Sequence, residues 1–323
     1  MRTRRFGRTG WEVGELGVGM WGVAGWTGTD TDEATAGLQL CVDRGVTFYD
    51  TAWGYGEGRS ENILRDLLRA NPERRLYAAT KIPPKNRVWP SRRGFAIADV
   101  FPPEYIHEYE ELCRGNLGVD TIDLLQFHVW EDDWADDPGW QRAVTELREA
   151  GRVGAVGVSI NRWEPWNALR TLRTGLVDAV QVIYNVFDQA PEDELFPACR
   201  ELDIGVVARV PFDEGSLIGN LTVESRWPEG DWRNTYFVPE NLAATVEHVE
   251  RLRPLVPEGM TMAELALRFI LSNPDVHTVI PGMRSRAHVN ANADAAARGP
   301  LPPELVAALR EHRWDREPTS WSQ

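Results

Sequence analysis

The feature that most constrains the fold of this 323-residue chain is a repeat of short apolar segments that alternate with longer segments of helical periodicity. Strands that alternate with helices over short connections form parallel sheets that are buried on both faces. Eight repeats fit a closed barrel better than an open sheet, because closure leaves no exposed edge strand. The pattern therefore predicts an α/β fold, a (β/α)8 TIM barrel. The predicted strands are 16–19, 46–50, 76–82, 122–127, 153–159, 179–183, 204–210 and 276–281.

Amphipathic segments between these strands predict the helices. One barrel domain is expected over residues 1–323, with an N-terminal β-hairpin at 1–15 and a C-terminal helix and tail at 298–323. A two-domain doubly wound sheet is the alternative, but no linker divides the chain. Long loops follow the third, fourth and seventh strands, on the face that carries barrel active sites. The predicted helices are 32–44, 60–70, 103–117, 140–150, 163–173, 193–202, 242–252, 262–272 and 286–297.

Composition excludes several classes of partner. A net charge of −14 argues against nucleic acid. The longest uncharged stretch is shorter than the roughly 20 residues that a membrane-spanning helix needs, and the basic N-terminus lacks an apolar segment behind it, so we expect a cytoplasmic protein with no membrane partner. Cys41, Cys113 and Cys199 fall in separate predicted helices, which favours buried, reduced thiols over disulfides or a metal site.

Four polar residues lie at or just beyond the ends of three consecutive predicted strands. Asp50 ends VTFYD, Tyr55 lies in the following loop, Lys81 ends LYAATK and His128 ends LLQFH. Neighbouring barrel strands bring such positions together. A buried Asp or Lys is costly unless it is paired, and these two can neutralise each other.

Together these residues have the chemistry of a proton donor. An ammonium beside a phenol lowers the phenol's pKa from about 10 by about 2 to 3 units, which makes Tyr55 a usable acid. Asp50 would keep Lys81 charged, and His128 could hydrogen-bond a carbonyl oxygen. Each residue alone has an ordinary structural explanation: a loop aromatic, a satisfied histidine, an ion pair. Their occurrence at successive strand ends favours an active site.

Several motifs, in order and at matching spacing, resemble the aldo-keto reductase family from about Thr3 to Ala297. The resemblance implies a nicotinamide cofactor bound without a Rossmann domain, and reduction of an aldehyde or ketone to an alcohol by hydride transfer. It also implies that Asp50, Tyr55, Lys81 and His128 are the catalytic tetrad, with Tyr55 as general acid. The motifs are DTAWGYGEGRSE, ATK, LLQFH, RVGAVGVS, VQVIYN, GVVARVPFDEGSLIGN and VIPGMRSRAHVNAN.

The resemblance further implies contacts along an extended cofactor. Arginine beside a hydroxyl donor suits a 2′-phosphate, so NADPH is predicted in preference to NADH. Arg209 replaces an aromatic residue common in relatives, and we expect it to tolerate the neutral reduced nicotinamide better than the cationic oxidised ring. The implied contacts are Ser159, Asn161, Gln181 and Arg209 at the nicotinamide, Pro211, Ser216 and Leu217 at the pyrophosphate, and Gly282, Arg284, Ser285, Arg286, His288 and Asn292 at the adenosine.

Tryptophans and acidic residues bear on the substrate, a small carbonyl compound. Trp21, Trp53 and Trp130 follow predicted strands, where pocket walls are expected. The acidic run 131–137 is expected to be a solvated loop rather than a metal site, because no histidine accompanies it. If it rims the pocket it repels anions, which favours a sugar or another neutral polyhydroxylated carbonyl.

Two other functions are compatible with parts of the pattern. One is a cofactor-binding regulatory subunit with the same fold and little turnover, like the potassium-channel beta subunits; the complete tetrad including His128 favours the reductase. The other is a barrel aldolase in which Lys81 forms a Schiff base, but Tyr55 and the cofactor-like segments would then have no purpose.

Overall fold

The computed structural model describes residues 1–24 and 30–317. Within them, eight parallel strands, β3 to β10, lie side by side in chain order. Strands β1 and β2 form a separate antiparallel hairpin. The strands are β1 Thr3–Phe6, β2 Trp11–Gly14, β3 Val18–Gly19, β4 Phe48–Asp50, β5 Tyr77–Ile82, β6 Ile122–Phe127, β7 Val153–Ser159, β8 Ala179–Ile183, β9 Gly205–Arg209 and β10 Thr278–Val279.

Helices connect successive strands and cover the outside of the barrel. Most coincide with the amphipathic segments of the sequence, because burial of one apolar face stabilises each of them. They are α1 Thr31–Asp43, α2 Arg59–Ala70, α3 Ile97–Val100, α4 Pro103–Leu117, α5 Pro138–Glu149, α6 Leu169–Arg173, α7 Leu195–Glu201, α8 Arg233–Tyr236, α9 Pro239–Leu252, α10 Met262–Leu271, α11 Arg286–Arg298 and α12 Pro303–Arg310.

The barrel closes between its first and last strands. The backbone N–H of Gly17 donates to Val279 O at 2.8 Å, and the N–H of Gly19 donates to Pro281 O at 3.0 Å. A Cβ atom on Gly19 would lie 2.8 Å from Ile280 O, so only glycine permits this approach. The predicted eight-stranded barrel is confirmed.

The hairpin covers the end of the barrel at which the strands begin. Phe6 of the hairpin is fully buried and its ring lies 5.6 Å from that of Phe48, the first residue of β4. A Cβ atom on Gly205, the first residue of β9, would lie 2.6 Å from the Phe6 ring. With this end filled by side chains, the opposite end carries the candidate site.

The acidic run 131–137 is only in part the solvated loop that the sequence predicted: Asp133 and Asp136 are exposed, but the first two carboxylates are engaged within the protein. Glu131 is buried and accepts a hydrogen bond from Asn167 Nδ2 at 3.0 Å. Asp132 accepts 2.8 Å bonds from the backbone N–H groups of Arg170 and Thr171. These carboxylates therefore organise the first turn of α6, and the predicted helix 163–173 begins only at Leu169.

The three cysteines lie in α1, α4 and α7 and are buried free thiols, as expected. Burial raises the pKa of Cys41 to about 12, which keeps this thiol protonated at neutral pH. Within residues 1–24 and 30–317, none of the helices combines the length and the apolar composition that a membrane span requires.

Candidate active site

The centre of the candidate site is a buried ion pair at the carboxyl ends of β4 and β5. Asp50 ends β4, Lys81 is the last residue but one of β5, and both side chains are almost fully buried. Lys81 Nζ lies 2.6 Å from Asp50 Oδ2. Mutual pairing compensates the cost of removing both charges from water.

Tyr55 is brought to this pair by a tight loop between β4 and α2. Gly56 and Gly58 have φ of +70° and +87°, a conformation that other residues rarely adopt. A Cβ atom on Gly58 would also lie 2.4 Å from Asn116 Nδ2. The glycines of the motif thus turn the chain so that the Tyr55 hydroxyl lies 3.4 Å from Lys81 Nζ.

The three N–H groups of the Lys81 ammonium each have an acceptor. They donate to Asp50 Oδ2 at 2.6 Å, to the backbone oxygen of Thr51 at 2.7 Å and to the Tyr55 hydroxyl at 3.4 Å. Burial alone would lower the pKa of Lys81, but the charge of Asp50 and the hydrogen bonds to Asp50 and Tyr55 outweigh it and hold that pKa above its ordinary value. Lys81 is therefore an ammonium at neutral pH, and the Tyr55 O–H is left to donate elsewhere.

Two glutamines orient Asp50 from below. Gln126 Nε2 and Gln181 Nε2 donate to Asp50 Oδ1 at 3.1 Å and 2.8 Å. Sequence reasoning missed Gln126; the available signal was a single amide among the apolar residues at the end of β6, LLQF. With both oxygens engaged, the Asp50 carboxylate is fixed beside Lys81.

His128 forms a wall beside Tyr55. Its ring meets those of Tyr55 and Trp89 edge-on, at centroid distances of 5.7 Å and 5.9 Å. Burial, with the charges of Lys81 and Arg209, lowers the pKa of His128 well below its ordinary value, so the imidazole is neutral. Its Nδ1 is buried and has no hydrogen-bond partner among the described residues.

The residues expected at the nicotinamide lie on neighbouring strands. Ser159 ends β7 and pairs with Gln181 on β8. Gln181 donates to Asp50 as described, and Asn161 Oδ1 accepts from the backbone N–H of Glu164 at 2.8 Å. Ser159 and Gln181 are therefore adjacent in the barrel, whereas the carbonyl oxygen of Asn161 stabilises a turn.

Arg209 ends β9 next to the tetrad. Its Nη2 donates to Ile160 O at 3.1 Å, and its buried Nε has no hydrogen-bond partner in the described part of the chain. Desolvation lowers its pKa, while the charge of Glu214 acts in the opposite direction. A guanidinium with spare donor capacity thus faces the centre of the site.

The loop after β9 is tightly turned. Asp213 and Gly215 have φ of +44° and +101°. Ser216 Oγ donates to Asp213 Oδ2 at 2.7 Å, and both Pro211 and Leu217 are buried. Since these side chains are engaged within the protein, the backbone is the part of the loop that is available to contact the expected pyrophosphate.

At the opposite end of the expected cofactor track, Gly282 and Arg284 follow β10. A Cβ atom on Gly282 would meet nothing within 4 Å, so space is open there. A Cβ atom on Gly22 would lie 2.6 Å from Arg284 Cδ. The arginine side chain therefore lies directly over the loop that follows β3.

The expected adenosine contacts continue into α11. Ser285 caps this helix by accepting from the N–H of His288 at 3.3 Å, and Asn292 is buried one turn further on. Arg286, which the sequence offered as a phosphate contact, is engaged by Glu33, with Nη2 2.9 Å from Glu33 Oε2. Desolvation and Arg284 lower the pKa of His288, so it adds no positive charge.

The structure corrects the assignment of Trp130 to the pocket wall. Trp130 is 1% exposed and its Nε1 donates to Thr171 Oγ1 at 2.8 Å. Its ring packs against Phe127 and Trp140, at 5.1 Å from each. The indole packs into the apolar cluster beneath the loop, so neither face of its ring is open to a ligand.

The other two tryptophans lie nearer the surface. Trp21 is 46% exposed and its ring lies 5.6 Å from that of Trp232. Trp53 is half-buried, with the Arg87 guanidinium 4.9 Å from its ring centroid. Trp89, which contacts His128, was not selected from the sequence, because its distance from the histidine depends on the path of a long loop.

A barrel with a buried Asp–Lys pair, a tyrosine on the ammonium and a neutral histidine beside it defines an oxidoreductase of the type that acts on carbonyl groups with a nicotinamide cofactor. No cluster of His, Cys, Asp and Glu in the described ranges could hold a metal ion. The chain belongs to the aldo/keto reductase family, whose model matches residues 15–313.

Known proteins are similar to this chain over most of its length. The NADH-specific methylglyoxal reductase of Escherichia coli (strain K12) is 28% identical, over 91% of this chain and 93% of that protein. A probable voltage-gated potassium channel subunit beta of Oryza sativa subsp. japonica is 28% identical, over 95% and 94%. The aldo-keto reductase AKR11C1 from Bacillus halodurans, solved in its holo form, superimposes with a TM-score of 0.76 at 25% identity and covers both chains completely.

Proposed function

We propose that this protein reduces an aldehyde or ketone to an alcohol at the expense of NADH or NADPH, with Tyr55 as the general acid. The observation that carries the proposal is the Lys81 ammonium, held by Asp50 and Thr51 with its third donor directed at the Tyr55 hydroxyl. An ammonium in this position stabilises the phenolate that proton donation leaves behind.

The protein's own residues would act in a defined order. The substrate carbonyl oxygen lies between the Tyr55 hydroxyl and the neutral imidazole of His128, which orients it. Tyr55 donates its proton to that oxygen as the carbonyl carbon is reduced, and Lys81 stabilises the phenolate. The nicotinamide cofactor supplies the hydride. The 3.4 Å separation of Lys81 and Tyr55 is compatible with this role, because catalytic hydrogen bonds tighten in the productive complex.

The residues around the tetrad fit a nicotinamide cofactor. Arg209 Nε and His128 Nδ1 are buried polar atoms without protein partners in the described ranges, and the space beyond Gly282 is open. Ser159 and Gln181 would hold the nicotinamide amide, and the loop 211–217 would cross the pyrophosphate. Arg284 and Ser285 support the predicted preference for NADPH, whereas the pairing of Arg286 with Glu33 argues against it.

The entrance favours a neutral substrate with a flat or apolar surface. Trp89 contacts His128 and would form one wall, while Trp53 and Trp21 would form others. The Lys81 ammonium beside the tyrosine is neutralised by Asp50, and Glu131 is engaged inside the protein. These features are compatible with the sugars or polyhydroxylated carbonyls that the sequence suggested, and with small dicarbonyls.

A regulatory subunit with little turnover is the second candidate, since one relative is named as a channel subunit. The intact arrangement of Asp50, Tyr55, Lys81 and His128 favours turnover. An aldolase is disfavoured, because a Schiff base requires a neutral amine and the raised pKa of Lys81 keeps it protonated.

A substrate panel tests the proposal. Purified protein is given NADH or NADPH with neutral sugars, aromatic aldehydes, small dicarbonyls and keto acids, and oxidation of the cofactor is followed by absorbance. We expect turnover with at least one neutral class and about 100-fold less with Tyr55→Phe. Absence of turnover across the panel, with tight cofactor binding, would support the regulatory subunit instead. Best activity with keto acids would reject the neutral-substrate hypothesis.

A further inference from the structure

A carboxylate of the protein itself, that of Glu33, is bound at the N-terminus of α11. Glu33 Oε1 accepts a hydrogen bond from the backbone N–H of Arg286, the first residue of the helix, at 2.9 Å. Glu33 Oε2 accepts from Arg286 Nη2 at 2.9 Å and from Nε at 3.1 Å. A carboxylate therefore takes up both the guanidinium and a helix N-terminal donor, the two kinds of group that bind phosphates.

The position of Glu33 is built into the packing of two helices. Gly37 lies one turn further along α1, and a Cβ atom there would lie 3.5 Å from the carbonyl carbon of Ser285. At the far end of α1, Arg44 donates to Asn290 Oδ1 at 2.8 Å. Because α1 and α11 are in contact over this length, the first turn of α1 is held against the first turn of α11.

We propose that Glu33 is a specificity-determining residue for the cofactor, which weakens binding of 2′-phosphorylated NADPH relative to NADH. The inference rests on the proposed function, in which the segment 282–292 receives the adenosine end. A 2′-phosphate must displace the Glu33 carboxylate from Arg286 and remain near it, and the two like charges repel. The 2′-hydroxyl of NADH, by contrast, can donate a hydrogen bond to the same carboxylate.

The charged and titratable groups around Glu33 leave its negative charge in place. Arg286 keeps the pKa of Glu33 below its ordinary value, so the carboxylate is ionised at neutral pH. His288 contributes no charge at neutral pH, because its pKa is lowered. Arg284 remains as a cation, with Arg233 and Asp231 as its charged neighbours.

Direct binding measurements test the proposal without relying on turnover. NADH and NADPH are titrated into the wild-type protein and into Glu33→Gln, with quenching of tryptophan fluorescence and calorimetry as readouts. Glu33→Gln removes the charge at almost constant volume and weakens the interaction with Arg286. We expect the affinity for NADPH relative to NADH to rise about tenfold.

Asp32→Asn is the matched control, because Asp32 is exposed and lies in the same helical turn. Its substitution changes the net charge by the same amount. It should leave the ratio within about twofold of the wild type. The inference is overturned if Glu33→Gln leaves the ratio unchanged, or if Asp32→Asn shifts it equally. If the wild type binds neither dinucleotide, the proposed function is contradicted as well. If it binds both and Glu33→Gln leaves the affinity ratio unchanged, only the role of Glu33 is contradicted.

Discussion

Single residues at the carboxyl ends of β4, β5 and β6 determine what the site can do. Lys81 uses its three donors on Asp50, Thr51 and Tyr55, so its charge is fixed beside the phenol. Asp50, Tyr55 and Lys81 were identifiable from the sequence because they follow local strand and turn signals. Gln126, which fixes Asp50, was not, since its role depends on a contact between residues 76 positions apart.

Arg209 supplies a prediction at this scale. Its guanidinium should repel the positively charged oxidised nicotinamide and tolerate the neutral reduced ring. Replacement by tyrosine should therefore reduce the preference for reduced over oxidised cofactor by about tenfold. Titration of both forms into wild type and Arg209→Tyr measures the ratio. An unchanged ratio would discard this role for the arginine.

Among the structural elements, the loop after β9 and the C-terminal tail are joined by buried charges. Arg316 is almost fully buried, and its Nη2 donates to Asp213 Oδ1 at 2.7 Å and to Asp188 Oδ2 at 2.8 Å. Arg162 lies 3.5 Å from Asp213 Oδ1 on the other side. Arg316 in the tail therefore neutralises the buried carboxylate of Asp213, which lies in the loop that is expected to cross the pyrophosphate.

Removal of Arg316 tests this link. Arg316→Gln leaves the buried Asp213 carboxylate with the hydrogen bond from Ser216 and the longer contact to Arg162, which should lower the free energy of unfolding by about 3 kcal/mol. Arg313→Gln is the matched control in the same tail, because its ion pairs with Asp193 and Asp315 are partly exposed and contribute no more than about 1 kcal/mol. Urea unfolding of both variants gives the two changes in the free energy of unfolding. Equal losses would show that the buried ion pairs of Arg316 stabilise the protein no more than the partly exposed pairs of Arg313.

In the molecule as a whole, side chains fill one end of the barrel and the candidate active site lies at the other. The strands β6, β7 and β8 were predicted with their observed limits, because hydrophobic runs between turn signals are local. Trp130, Asp132 and the Glu33–Arg286 pair were not foreseen, because each depends on which distant segments meet after closure. The sequence therefore predicted the scaffold, and the proximity of the four residues at the strand ends, better than the entrance and the adenosine end.

The filled end also makes stability depend on pH. His277 Nδ1 accepts from the backbone N–H of Val206 at 2.9 Å, and burial, with Arg4, lowers the pKa of His277 to about 4. The folded-state pKa lies below the unfolded value near 6.5, so this contribution is complete above about pH 6.5 and is lost as the pH falls toward about 4. Between pH 7 and pH 5, His277 should account for about 2 kcal/mol of lost unfolding free energy.

His277→Asn isolates this effect, because the asparagine carbonyl can accept the same hydrogen bond without titrating. Chemical denaturation near pH 7 and near pH 5 should show a smaller loss for the variant than for the wild type, by about 2 kcal/mol. Equal pH dependence of the two proteins would mean that His277 is not the responsible group.

The measurement that bears most directly on the whole account is the single-turnover rate of cofactor oxidation by wild type and Tyr55→Phe, on a carbonyl substrate from the panel. If the phenol beside the Lys81 ammonium is the proton donor, the variant binds the cofactor with unchanged affinity and oxidises it about 100-fold or more slowly. A variant rate within about threefold of the wild type, under conditions where chemistry limits turnover, would contradict the assignment of Tyr55 as the acid.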